Sequence, residues 1–141
     1  MLAENLIKNG EMKTNLNWKG DKAFVVEDDQ RYLLLEGSSG RTVKVSQKFD
    51  TEGLDGVLVK FVYKSADYKG SGLRLRCIAA GEIASNEEFE IKVDGKWHEL
   101  SWHCSELLSS FDHTLSIELK AGTGKVLIDK VSVTAVTNEK N

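Results

Sequence analysis

Apolar and polar residues alternate with a period of two through most of this 141-residue chain. Successive side chains of a β-strand point to opposite faces, so this pattern is typical of strands that are buried on one side only. It occurs at residues 41–49, 57–64, 73–77, 89–93, 97–104 and 115–119. The sequence therefore predicts an all-β fold in which the parity of each side chain assigns it to the core or to solvent.

Turn residues separate these runs at short intervals. Glycine-containing turns at 53–56, 69–72, 94–96 and 122–124 accept the positive φ angles that tight hairpins require. Only residues 105–110 look helical, and that segment is long enough for one or two turns. Eight to ten short strands without crossover helices predict a two-sheet antiparallel β-sandwich of the jelly-roll type. We expect one domain over residues 1–136 and a flexible C-terminal tail at 137–141.

The overall composition is that of an ordinary globular domain. The formal net charge of −3 argues against general binding of nucleic acid, which requires a basic surface. No apolar run is long enough to cross a membrane, and residues 1–15 lack the charged and apolar blocks of a signal peptide. Two locations stay open: the cytoplasm, or the periplasm or extracellular space after removal of a signal.

Little in the sequence points to catalysis. His98, His103 and His113 are too few and too irregularly spaced for a zinc site, and no nucleophile elbow is present. We therefore predict that the protein is not an enzyme. The two cysteines, Cys77 and Cys104, lie in strand-like runs without metal-ligand spacing. We expect two buried free thiols, and a single disulfide is the alternative.

Several short motifs occur in an order that resembles a known class of domain. They are Asn5-Leu6-Ile7-Lys8-Asn9-Gly10, Trp18, Val45-Ser46-Gln47, Lys60-Phe61-Val62-Tyr63-Lys64-Ser65, Trp97, and Ile128-Asp129-Lys130-Val131-Ser132-Val133. The chain resembles the jelly-roll, galactose-binding-like carbohydrate-binding modules that are attached to bacterial glycoside hydrolases. The resemblance implies a carbohydrate partner, no nucleic-acid or membrane partner, a monomer, and a glycoside hydrolase domain in a larger chain.

The same resemblance implies a structural calcium ion near the closing strand. Asp129 would supply one ligand, and Glu11 would supply another from a shifted register. However, Lys13 stands where modules of this kind present an oxygen ligand, and calcium needs several oxygen atoms. The alternative is that no cofactor is required, because an ion pair between Lys13 and Asp129 replaces the metal.

Aromatic residues bear on sugar binding, because such modules stack sugar rings on exposed aromatic side chains. Parity places Trp102 in the core, and Trp18 and Trp97 match positions that look structural in the resembled family. Tyr68, in a glycine-flanked loop, and Tyr32, at the start of a strand, are left as candidates for exposure. We expect Tyr68 to stack on a sugar.

Basic residues provide the rest of the predicted site. Lys60 and Lys64 share the solvent parity of one strand, and Arg74 and Arg76 share that of the next. If both strands lie in one sheet, four cations line one surface and suit the carboxylates or sulfates of an acidic polysaccharide. These four residues and Tyr68 form the predicted carbohydrate site.

An alternative explains the same charges without a ligand. Glu88, Glu90, Glu99 and Glu118 also have solvent parity and are able to pair with the four cations across strands. The protein would then be a structural or protein-interaction β-sandwich that binds no sugar.

Overall fold

A computed structural model describes residues 4–108 and 111–136. The predicted tail at 137–141 lies outside the described residues. Twelve strands form: β1 Lys19–Gly20, β2 Phe24–Glu27, β3 Gln30–Glu36, β4 Val43–Asp50, β5 Gly56–Lys64, β6 Lys69–Gly70, β7 Leu73–Ala79, β8 Glu82–Phe89, β9 His98–Cys104, β10 Asp112–Leu119, β11 Gly122–Thr123 and β12 Lys125–Val136. The described residues contain no helix, and therefore none that could cross a membrane.

The strands build two five-stranded antiparallel sheets. The first sheet has the order β1-β4-β10-β7-β8, and the second has the order β2-β3-β12-β5-β9. A separate two-stranded ribbon joins β6 to β11. This arrangement confirms the predicted jelly-roll sandwich.

The core lies between the two sheets and follows the predicted parity. On β9, Leu100, Trp102 and Cys104 are buried, and the residues between them are exposed. Trp18 is also in the core, as expected. Cys77 on β7 and Cys104 on β9 are free and completely buried, which agrees with the expectation of two buried thiols.

The N-terminal segment is tied to the C-terminal strand β12. The side-chain oxygen of Asn5 accepts a hydrogen bond from the Val133 backbone at 3.0 Å, and its amide donates to the Val131 carbonyl at 3.1 Å. A Cβ atom at Gly10 would lie 2.0 Å from that same carbonyl oxygen, so only glycine fits this approach. The two ends of the domain therefore close against each other.

Two predicted elements are wrong. Residues 90–93 are not in a strand, because β8 ends at Phe89 opposite Leu73, where β7 begins. Gly72, just before Leu73, lies against Phe89 but has a φ of 106°, outside the strand region, so β7 begins after it and offers Glu90 no ladder partner. The helical turn predicted at 105–110 is absent at 105–108, and residues 109 and 110 lie outside the described residues.

Candidate functional site

The four predicted cations lie on opposite faces of the molecule, which corrects the expectation of one basic surface. Lys60 and Lys64 are on β5 in the second sheet, whereas Arg74 and Arg76 are on β7 in the first. The chain passes from one sheet to the other between β5 and β7. Two separate surfaces must therefore be considered.

On the outer face of the first sheet, Arg74, Arg76, Ser116 and Glu118 form a group that we call the arginine cluster. Arg74 donates through Nε to Glu118 Oε1 at 2.8 Å, and its Nη2 lies 2.7 Å from the same oxygen. Ser116 Oγ donates to the other carboxylate oxygen at 2.8 Å. Glu118 is only 2% exposed, although the alternation of β10 points it away from the core. These bonds therefore hold the charged groups of the cluster in fixed positions.

The cluster has more positive charge than its one carboxylate balances. Arg76 Nε lies 3.5 Å from Glu118 Oε1, close enough for charge attraction. This Nε is nevertheless buried and has no hydrogen-bond acceptor among the described residues. A buried N–H without an acceptor is energetically costly, so Glu118 alone does not satisfy Arg76. The Arg76 side chain as a whole is 25% exposed, so a ligand oxygen could reach its guanidinium group from solvent.

The alternative interpretation is correct for Glu118, which pairs with Arg74 and Arg76, but Glu88 pairs with a different cation. Glu88, opposite Arg74 in the β7–β8 ladder, accepts a hydrogen bond from Lys120. This bond holds the pKa of Glu88 below its usual value. The ion pairs of Glu88 and Glu118 order this surface, but they leave part of the Arg76 side chain exposed to solvent.

Tyr68 is buried, contrary to the expectation that it stacks on a sugar. Its hydroxyl donates to the Lys120 carbonyl at 2.9 Å and accepts from the Gly72 backbone at 3.0 Å. The side chain is 5% exposed and belongs to the core. Its position in a glycine-flanked loop gave no sign of this burial, because the Lys120 carbonyl comes from a distant segment of the chain.

Trp97 is exposed, contrary to the expectation of a core position. It is 38% exposed, and its ring lies 5.1 Å from that of Tyr32, with the two planes inclined by 42°. The Nζ atom of Lys64 lies 5.7 Å from the centre of the Trp97 ring. Parity alone predicts that Trp97 is exposed, because the buried residues of β9 have even numbers and Trp97 precedes them with an odd number.

Tyr32 and Trp97 form what we call the aromatic pair, on the outer face of the second sheet. Tyr32 is half-buried on β3, and Trp97 directly precedes β9. A cation over an exposed indole contributes about 0.5–1 kcal/mol. The contact with Lys64 therefore helps to hold the indole in place.

The predicted calcium ligands line a surface pocket of about 500 Å³. Asp129 is 2% exposed, its Oδ2 accepts from Gln30 at 2.9 Å, and its Oδ1 has no partner among the described residues. Burial raises the pKa of Asp129 above its usual value. Lys13 lies 3.9 Å from Glu11, so the predicted ion pair between Lys13 and Asp129 is wrong.

The residues around Asp129 fit a calcium ion poorly. Gln30 presents its amide nitrogen to Asp129, and the pocket lining brings three cations, Lys13, Arg31 and Lys130, beside the carboxylates of Glu11 and Asp29. Within residues 4–108 and 111–136, no three His, Cys, Asp or Glu side chains come together as a metal site. Calcium prefers six to eight oxygen ligands, so one buried carboxylate is too few.

Comparison with known proteins identifies the fold. No family model matches the sequence, and no curated protein matches it. A family 61 carbohydrate-binding module bound to β-1,4-galactotriose has a TM-score of 0.66 and 13% identity, over 95% of this chain and all of that one. The protein has the fold of a jelly-roll carbohydrate-binding module.

Two further solved structures are similar in fold over most of this chain. A family 11 module from Clostridium thermocellum, in complex with a mixed-linked tetrasaccharide, has a TM-score of 0.65 and 12% identity over 99% of both chains. The enzymatically active domain of a bacteriophage CBA120 tailspike has a TM-score of 0.70 and 14% identity. This chain spans only about a fifth of the tailspike chain, 21% of its length.

Proposed function

We propose that the protein is a non-catalytic module that binds a poly- or oligosaccharide at the arginine cluster. The observation that carries this proposal is the pair of guanidinium groups on Arg74 and Arg76, whose side chains are 24% and 25% exposed and which share the single buried carboxylate of Glu118. Sugar hydroxyl and carboxylate oxygens are suitable acceptors. The likeness in fold to modules solved with bound oligosaccharides supports the same function.

The charges of the cluster favour an acidic sugar. Two guanidinium groups, on Arg74 and Arg76, face the single carboxylate of Glu118. A uronate carboxylate or a sulfate would balance the second guanidinium, which binds such groups in a planar, bidentate manner. We expect weak binding per module, because an open, wet surface buries little area.

Calorimetric titration of the wild type, Arg76→Ala and Lys48→Ala with polygalacturonate tests the site. Lys48 is exposed on the same face, on β4, and is the matched control. We expect Arg76→Ala to lower affinity at least about tenfold, the loss of one charge-assisted hydrogen bond, and Lys48→Ala to change it less than about twofold. Glu118 keeps Arg74 as its partner in the Arg76 variant, so the fold should survive.

The alternative function is a structural or protein-interaction domain that binds no sugar. The burial of Glu118 between two arginines favours it, since ion pairs that are already formed need no ligand. A glycan array separates the two functions. Binding to a neutral or acidic glycan supports the first, and a protein that binds none of the glycans has the structural role.

The wider setting of the domain is part of the same proposal. A sugar-binding module acts where polysaccharides are, which favours an extracellular or periplasmic location. We propose that it works as a monomer beside a glycoside hydrolase domain in a larger chain. Mass spectrometry of the native protein, for chain length and for oligomeric state, tests both statements.

A further inference from the structure

We propose a second carbohydrate site on the opposite face of the molecule, where a sugar ring stacks on the aromatic pair Tyr32 and Trp97 beside Lys64. This site uses none of the residues of the arginine cluster. It shares with the proposed function only the class of ligand. The argument rests on how the two rings reach each other, on their exposure, and on the position of Lys64.

The two rings meet across two intervening strands. In the second sheet, β12 and β5 separate β3, which holds Tyr32, from β9, which follows Trp97. Neighbouring strands lie about 4.8 Å apart, so the backbones at the two residues are separated by roughly 14 Å. Their ring centres are nevertheless 5.1 Å apart, so both side chains lean toward each other over β12 and β5.

This arrangement leaves aromatic surface available to a ligand. The planes are inclined by 42° and do not stack flush, and Trp97 keeps 38% of its surface exposed. Half-buried apolar residues continue the surface between the rings, with Leu127 on β12 and Val62 on β5. The apolar face of a pyranose fits such a surface, because sugar C–H groups pack on aromatic rings while the hydroxyls stay in water.

Lys64 gives the site a polar partner. The ladder pairs Tyr63 with His98, so Lys64 is the next residue along and lies beside Trp97. Its Nζ is 5.7 Å from the ring centre, within reach of a sugar that covers the indole. An ammonium group donates hydrogen bonds to hydroxyls and attracts carboxylates. Burial and the charges of Asp129, Glu27 and Asp28 raise the pKa of Tyr32, so the acids lie toward that ring. The site should therefore accept neutral sugars, and an acidic sugar should place its carboxylate beside Lys64 at the Trp97 end.

The three tryptophans allow a selective test. Trp18 is 1% exposed and Trp102 is 4% exposed, so solvent quenchers reach Trp97 far more readily. Acrylamide quenching of tryptophan fluorescence is measured with β-1,4-galactotriose, with a β-1,3-1,4-mixed-linked tetrasaccharide and with polygalacturonate. We expect at least one of these probes to protect Trp97 in a saturable manner, and the proposal is overturned if none does.

Variants separate this site from the arginine cluster. Trp97→Ala and Tyr32→Ala should each weaken calorimetric binding at one site at least about tenfold. The control is Phe111→Ala, which removes an aromatic side chain that is 75% exposed elsewhere on the protein and should not change binding. Trp97 protection should persist in Arg76→Ala. Loss of protection in Arg76→Ala, or unchanged binding in Trp97→Ala, would show that the aromatic pair is not a separate site.

Lys64→Gln tests the polar partner, with Lys60→Gln as its control on the same face of β5. We expect Lys64→Gln to weaken the affinity for polygalacturonate, measured by the protection of Trp97 from quenching, about tenfold. The affinity for the neutral probes should change only about twofold. Lys60→Gln should leave both unchanged. Equal weakening by the two variants would show a general charge effect and would remove Lys64 from the site.

Discussion

Asp129 is one of two residues in the described part of the protein with a buried side-chain atom that has no hydrogen-bond partner, and Arg76 is the other. The Asp129 side chain is almost fully buried, and its Oδ1 has no hydrogen-bond partner there. An ionised carboxylate in this position costs stability unless a proton or a cation joins it. The raised pKa of Asp129 reflects that cost, and burial is its main cause.

We predict that Asp129→Asn stabilises the protein by about 1–2 kcal/mol at neutral pH, because it removes the unpaired charge and keeps an oxygen for Gln30. The raised pKa means that the contribution of Asp129 to stability falls as pH rises through that pKa, so the variant should exceed the wild type by more at pH 7 than at pH 4. Urea unfolding at pH 4 and pH 7 measures both effects. Calcium should leave the melting temperature of either protein unchanged.

A calcium-dependent rise in the wild-type melting temperature that Asp129→Asn abolishes would contradict this prediction. Such a result would mean that calcium binds to the native state, since only a ligand of the native state raises the melting temperature. The metal implied by the resemblance would then be present despite Lys13.

At the scale of single residues, the sequence predicted burial well in strands and poorly in loops. Parity placed Trp102 and Cys104 correctly because the strand period is exactly two. Tyr68 was placed wrongly because its burial depends on Lys120, which lies 52 residues away along the chain and reaches it only in the folded protein. Trp97 was wrongly assigned to the core from the family resemblance, although its parity indicated exposure.

At the scale of elements, the contact between the N-terminal segment and β12 makes a sharp prediction. Gly10 has an ordinary φ, so its replacement by alanine tests the contact with the Val131 carbonyl and not backbone strain. We expect Gly10→Ala to lower the free energy of unfolding by about 1–3 kcal/mol, as overpacking does. Urea unfolding measures the change.

Gly40→Ala is the matched control, because a Cβ atom at Gly40 meets nothing within 4 Å and its φ is also ordinary. We expect it to change the free energy of unfolding by less than about 0.5 kcal/mol. Equal effects of the two variants would show that the segment is not tightly held against β12.

Sheet membership explains why the predicted basic surface was wrong. A period of two fixes which side chains share a face of one strand, but it does not say which strands pair. The strands β5 and β7 are near neighbours along the chain and lie in different sheets. Their cations therefore ended on opposite faces, although each was correctly predicted to point away from the core.

At the scale of the whole molecule, His113 couples stability to pH. Its Nε2 accepts a hydrogen bond from the Leu108 backbone at 3.0 Å, which leaves the proton on Nδ1, where it faces Thr51 Oγ1 at 2.7 Å. Protonation of Nε2 would break the first bond. Burial lowers the pKa of His113, and the charge of Asp112 opposes this only partly.

The lowered pKa sets the direction of the pH dependence. The contribution of neutral His113 is fully present above the unfolded pKa of about 6.5 and is lost as pH falls from there toward the lower folded pKa. We predict that the free energy of unfolding decreases between pH 7 and pH 5. The slope should be smaller in His113→Gln and unchanged in His103→Gln, which alters an exposed histidine. Equal slopes in all three proteins would exclude His113 as the source.

Two sugar sites on opposite faces would make one domain bivalent. The arginine cluster and the aromatic pair lie on the outer faces of sheets that pack about 10 Å apart, so one straight sugar segment cannot reach both. We predict that the protein cross-links long polygalacturonate chains. Light scattering should rise as protein is added, because each molecule joins two chains. It should fall again at excess protein, because separate protein molecules then fill the binding positions of each chain and few of them bridge two chains.

Short ligands and single-site variants provide the controls for this last prediction. A trisaccharide has no room for a second module, so it should bind without an increase in scattering. Trp97→Ala and Arg76→Ala each keep one site, so each should bind the polymer without cross-linking it. Cross-linking that persists in both variants would mean that the protein is bivalent through self-association, and not through sites on its two sheets.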